Sequence, residues 1–276
     1  MSENLIIRSI ESVQELEEVR QLESLIWSEL ESYPVSQTIT AVKNGGMVIG
    51  AFLENQLIGF QYSFAGFDGH KPYLCSQTLG IHPDFRKMGI GEKLKCKQRE
   101  EAIKKGYDLI TWTYDPMETV NGHLNLHKLG AECSTYIENC YGDMPDALNI
   151  GMPSDRFVVE WRIKDRQERN QNYHQSVNLL NNESHLLIKT GKNSDGFLVP
   201  EEIDLSKDQD EESLFVPVSS DFQSIKQYNL DLALSWRMKT RQVFTHYFKH
   251  GWSAVDLVRN ESDPDICFYV LKQINS

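Results

Sequence analysis

The sequence is short of cysteine, and none of it forms a Cys-x-x-Cys pair: Cys75, Cys96, Cys133, Cys140 and Cys267 stand apart, with no histidines at zinc-ligand spacing. No disulfide framework or zinc site is legible, and the thiols read as reduced. Long apolar runs are also missing, and nothing approaches the roughly 20 residues that a membrane-spanning helix needs. The start, MSENLIIRSIESVQELEEV, carries acids where a secretory leader would have a basic patch and an apolar core, so a cytoplasmic protein with no membrane partner is expected. Positive charge is scarce as well: 28 lysines and arginines against 40 acids leave a formal charge of -12. That speaks against a nonspecific nucleic-acid surface but leaves room for a local basic pocket around one phosphorylated ligand.

What is present suits a soluble globular chain. At 276 residues, 40% hydrophobic and 25% charged, it can bury one large core or a core with an extension. NLIIRSI reads as a strand, and Val13, Leu16, Val19, Leu22 and Ile26 follow at helical spacing. MVIGAFLENQLIGFQYSF gives two strand-like runs around a Glu54-Asn55 turn, which predicts an antiparallel hairpin. KPYLCSQTLGIHP continues as a strand, and after a charged helix come DLITWTY, the short helix ETVNGHLNLHKLG, and the strands AECSTYIENC and RFVVEWRI. The expected division is a domain over 1–165, a polar acidic linker or insert over 166–212 with weak strands at HLLIKT and GFLVP, and a strand-helix-strand-strand extension over 213–276. In that extension one long helix is expected from Asp221 to Gly251, burying Phe222, Ile225, Leu232, Trp236, Val243 and Tyr247.

The stretch LGIHPDFRKMGIGEKLKCKQREEAIKKG places Gly89 and Gly91 at a helix entrance, behind Arg86 and Lys87. Unpaired N–H groups, the positive end of the helix dipole and two residues without a Cβ make an anion trap into which a diphosphate would fit. A P-loop is excluded because Glu92 follows Gly91, and a dinucleotide fingerprint because Leu94 stands where its third glycine belongs. A lone Gly-x-Gly can equally serve only to relieve a tight turn.

With its context the stretch resembles the acyl-CoA motif of the GNAT superfamily of N-acyltransferases, Arg86-x-x-Gly89-x-Gly91 matching its (Gln/Arg)-x-x-Gly-x-(Gly/Ala) signature. The resemblance spans roughly Leu5 to Lys164; LITWTYDPM, NLHKLGA and PSDRFVVEWRI narrow it to a bacterial branch with a C-terminal extension. It implies an α/β (α+β) fold: a mixed, mostly antiparallel sheet with a splayed central strand pair, flanking helices and a smaller C-terminal α/β extension. It further implies acyl transfer, acetyl or succinyl, from acetyl-CoA or another acyl-CoA to a small-molecule amine such as an amino acid, by direct attack in a ternary complex. Leu79, Gly80 and Ile81 would contact the pantetheine, and Arg86, Lys87, Met88, Gly89, Ile90 and Gly91 the diphosphate, with Asn121 and Lys128 as further cofactor contacts. A homodimer is compatible with it.

The chain departs from the family where a tyrosine usually protonates the leaving thiolate: without gaps that position is Leu126. Tyr141 or Tyr136 is a substitute acid, and Asp115 and Glu118 are candidate bases, although Asp115 before Pro116 also suits a turn cap. Arg237, Lys239 and Arg241 form a basic cluster that either holds a carboxylate on the acceptor or acyl group or simply packs its stems. The missing tyrosine also fits a noncatalytic acyl-CoA-binding or regulatory module.

Overall fold

The computed structural model describes residues 4–142, 151–164, 183–207 and 211–273. Contacts divide the chain into two compact units, residues 1–112 with 162–164 and residues 113–161 with 165–276. This division does not fall at the compositional boundary at residue 165, because strands on both sides of that boundary share the second unit. Of the linker or insert expected over 166–212, residues 166–182 and 208–210 lie outside the described residues. No described helix is long and apolar enough to cross a membrane.

In the first unit, β1 (Leu5–Ile10), β2 (Met47–Leu53), β3 (Gln56–Phe67), β4 (Pro72–Ile81) and β5 (Leu109–Tyr114), the last of which the unit holds as far as Trp112, pair in that order, antiparallel up to β4. The β2–β3 turn uses Glu54 and Asn55 at φ 50 and 68, the left-handed pair that a tight hairpin needs. Helices α1 (Val13–Ile26) and α2 (Val35–Lys43) cover a core of Ile10, Leu16, Val19, Leu22, Val48, Phe52, Phe60 and Tyr62. Ser12 starts α1, its hydroxyl accepting from the Glu15 amide at 3.2 Å. Helix α3 (Ile90–Lys104) packs against β2, β3 and β4, and the Arg99 guanidinium donates to the Ile163 carbonyl at 2.9 and 2.7 Å.

Strands β4 and β5 are parallel and pair only at Leu74↔Ile110 and Cys75↔Thr111. Beyond Cys75 they part, so the central pair is splayed, as expected. On its other edge β4 carries a bulge: Tyr62 faces Thr78 while Ser63 faces Ser76, leaving Gln77 as the extra residue.

In the second unit a short helix, α4 (Thr119–Gly122), runs on into a π-helical turn over His123–Lys128. The strands β6 (Glu132–Ile137), β7 (Arg156–Arg162), β10 (Leu214–Ser219), β11 (Trp252–Arg259) and β12 (Ile266–Gln273) take the order β7-β6-β11-β12-β10. The weak strands expected in the insert form the hairpin β8 (Ile188–Lys192) and β9 (Leu198–Ile203). The single long helix expected after Asp221 is two helices, α5 (Phe222–Tyr228) and α6 (Leu230–Lys249). Asn229 divides them: its backbone is extended (φ -156, ψ 107), and its side chain accepts from the Leu232 amide at 3.0 Å, capping α6. The apolar face runs through the break and hides it from periodicity.

Candidate functional site

In the first unit the chain leaves β4 through a turn that takes two residues left-handed, Lys87 at φ 64 and Gly89 at φ 73, before α3 begins. No side chain caps α3. Among the described residues the amides of Met88, Gly89, Ile90 and Gly91 have no acceptor, backbone or side chain. A Cβ on Gly89 would meet nothing within 4 Å, so the face of the turn is open. Arg86 and Lys87 are exposed beside it, and Arg86 Nε leans back on the Ile81 carbonyl at 3.4 Å. Bare amides, a helix dipole and two cations therefore face one open point. Leu79, Gly80 and Ile81 lie on the stretch of β4 that has no β5 partner. The expected diphosphate and pantetheine residues are thus brought together in one unit. Gly80 has a packing reason too: a Cβ there would stand 2.6 Å from the Phe60 ring and 2.9 Å from Ile26.

A buried acid and a buried base of this unit escaped the sequence reading. Glu23, 2% exposed on α1, accepts from the Tyr33 amide at 3.0 Å, and burial pushes its carboxyl up to about 7 despite that bond. Tyr33 in turn accepts from the bulge residue Gln77 at 2.6 Å. The second is Lys95, 3% exposed on α3. Each stands next to a residue of its helix's apolar stripe, Leu22 and Leu94, and that adjacency was the available signal.

The remaining expected residues belong to the second unit. Asp115 is engaged twice over: Arg237 donates to both its oxygens at 2.8 and 2.5 Å, and the Met117 amide donates to Oδ1 at 2.8 Å. It is therefore both turn cap and ion-pair partner, and a carboxylate held in a fork has little freedom to act as a base. Burial works against the charge on Arg237, but Asp115 more than offsets it, so the guanidinium is held more firmly protonated than usual. Glu118 differs: burial raises its pKa, partly opposed by a hydrogen bond from the Gln223 amide. Of the expected carboxylates it is the one whose chemistry suits a base. Tyr141, 55% exposed, shares a 2.6 Å hydrogen bond with Thr113, while Tyr136 donates to Asp155 at 2.6 Å. Asn121 and Lys128 are exposed on α4 and the π-helical turn.

The basic cluster does not wait for a ligand. Arg237 holds Asp115, Arg241 grips Asp155 at 2.8 and 2.7 Å, and Lys239 donates to the Pro200 and Glu201 carbonyls. The carboxylate-binding role considered for it is overturned, because the chain's own acceptors occupy all three side chains.

No protein-family model and no curated protein matches the chain. Among solved structures it is similar to the ribosomal-protein-S18-alanine N-acetyltransferase from Escherichia coli (15% identity, 59% of this chain and 97% of that one, TM-score 0.48). It is also similar to an N-acetyltransferase from Staphylococcus aureus Mu50 (16% identity, 58% and 99%, TM-score 0.47). A third likeness is to Arabidopsis thaliana Naa50 in complex with a bisubstrate analogue (16% identity, 57% and 97%, TM-score 0.45). The chemistry of the site rests on this chain's own residues.

Proposed function

We propose that the chain is a GNAT-type N-acyltransferase that moves an acetyl or succinyl group from acyl-CoA to the amine of a small molecule, an amino acid among the candidates. The observation that carries this reading is the set of four unengaged amides, Met88 to Gly91, at the open mouth of α3 and next to the unpaired edge of β4. A diphosphate placed there receives backbone N–H groups and the charges of Arg86 and Lys87. The pantetheine amides then pair with the free edge of β4 as an added strand would. Attack is direct: holding thioester and amine together supplies the rate, and the β4 backbone near Leu79 to Ile81 polarises the carbonyl. The test supplies acetyl- or succinyl-CoA with a panel of amines and follows release of free CoA. Turnover that needs the amine supports the reading, and no turnover with any pair refutes it.

A further inference from the structure

Histidines can bind a metal without cysteine, and α6 ends in a His-x-x-x-His pair, His246 and His250. Four residues apart, the two side chains stand on one face of the chain's turn. Their ring centres are 4.5 Å apart and the rings are tilted by 39°. Both line one cavity of about 230 Å³ in the second unit, whose apolar walls include Leu205, Tyr247 and Trp252.

The nitrogens are set up as ligands. A carbonyl oxygen only accepts, so the 2.8 Å contact between His250 Nδ1 and the His246 carbonyl puts the proton on Nδ1 and leaves the lone pair on Nε2. Metal-binding imidazoles are commonly oriented in this way. Among the described residues nothing hydrogen-bonds to either ring nitrogen of His246. Burial first, and the neighbouring His250 second, lower the pKa of that ring, so it is neutral near pH 7. Two metal–nitrogen bonds of roughly 2.0 to 2.1 Å, meeting at roughly 90 to 110°, hold two ring centres roughly 4.5 to 5.2 Å apart. The observed spacing falls in that range.

The surroundings favour a cation over an anion. The pair closes a 20-residue helix, and the C-terminal end of a helix dipole is negative. Lys207 is also on the lining, but its amine donates to the Ser184 carbonyl and, at 2.7 Å, to the Leu186 carbonyl, and it lies 3.9 Å from Asp204. The same spacing at His123 and His127 gives a different pair. Those rings lie only 15° from parallel, and a metal has to lie in the plane of each ring that binds it, a condition that nearly parallel planes do not meet.

We propose that His246 and His250 form a two-histidine site for a divalent transition ion such as Zn²⁺ or Ni²⁺, which clamps the last turn of α6. Among the described residues no third histidine, cysteine or carboxylate joins them, so water fills the other coordination positions. The site is independent of the acyl-CoA reading.

The test titrates the untagged full chain with Ni²⁺ and with Zn²⁺ by calorimetry, beside His246→Gln, His250→Gln and His123→Gln. Losing either histidine of α6 turns a chelate into a single bond, so each of the first two variants binds at least about tenfold more weakly, while His123→Gln binds like the wild type. The unfolding midpoint rises with added metal in the wild type and in His123→Gln only, and without metal all four midpoints are close. A wild type that binds neither ion, affinity that survives in His246→Gln or His250→Gln, or affinity that falls only in His123→Gln overturns the proposal. Inorganic phosphate is titrated separately, and phosphate binding that His246→Gln abolishes would make the cavity an anion site and overturn it too.

Discussion

Glu23→Gln should stabilise the protein at alkaline pH. The carboxyl is 2% exposed, and burial lifts it from the ordinary 4.5 to about 7. The folded state therefore binds a proton that the unfolded chain has already released, and stability falls as pH rises between these two values. Below 4.5 the group is protonated in both states and costs nothing; above 7 the full cost of burying a carboxylate is present. A shift of this size corresponds to about 3 kcal/mol. Glutamine keeps an oxygen for the Tyr33 amide, so the neutral amide retains the 3.0 Å bond while removing the charge. Urea unfolding of both proteins at pH 4.5 and pH 8, followed by tryptophan fluorescence, measures the difference. The variant should gain about 2 to 3 kcal/mol at pH 8 and little at pH 4.5. An equal effect at both pH values, or a loss at pH 8, would show that Glu23 is ionised and satisfied in the fold.

Two further outcomes concern the second unit. Arg237→Met strands the Asp115 carboxylate and should cost about 3 to 5 kcal/mol, whereas adding Asp115→Asn should recover much of it; a loss in the double variant equal to the sum of the two single losses would mean that the pair is not coupled. Asn229→Ala removes the cap of α6 and should cost about 1 kcal/mol, read as a lower unfolding midpoint at unchanged slope; no shift would place the start of α6 elsewhere.

The strand and helix order, the Glu54-Asn55 hairpin and the turn before α3 were all legible, because alternation, helical spacing and glycine placement are local signals. The break at Asn229 was not, since Phe222 and Ile225 on one side and Trp236 and Val243 on the other all face the core and keep one stripe in phase. The fate of Arg237, Lys239 and Arg241 was hidden for another reason: their acceptors, Asp115, Asp155 and the carbonyls of 200 and 201, lie far away in sequence. Lys95 shows the same limit at the site. Within EKLKCKQREE it looks like its exposed neighbour Lys93, and only the fold, by setting Ser76 and Trp112 against it, marks it out.

The central claim is that the amides of Met88 to Gly91 hold the diphosphate of coenzyme A. Calorimetric titration of CoA into the wild type and Gly89→Asp tests it most directly. The account predicts saturable binding to the wild type, weakened at least about tenfold by a carboxylate placed at the mouth of α3. Absence of binding to the wild type, or equal affinity in the two proteins, would contradict it.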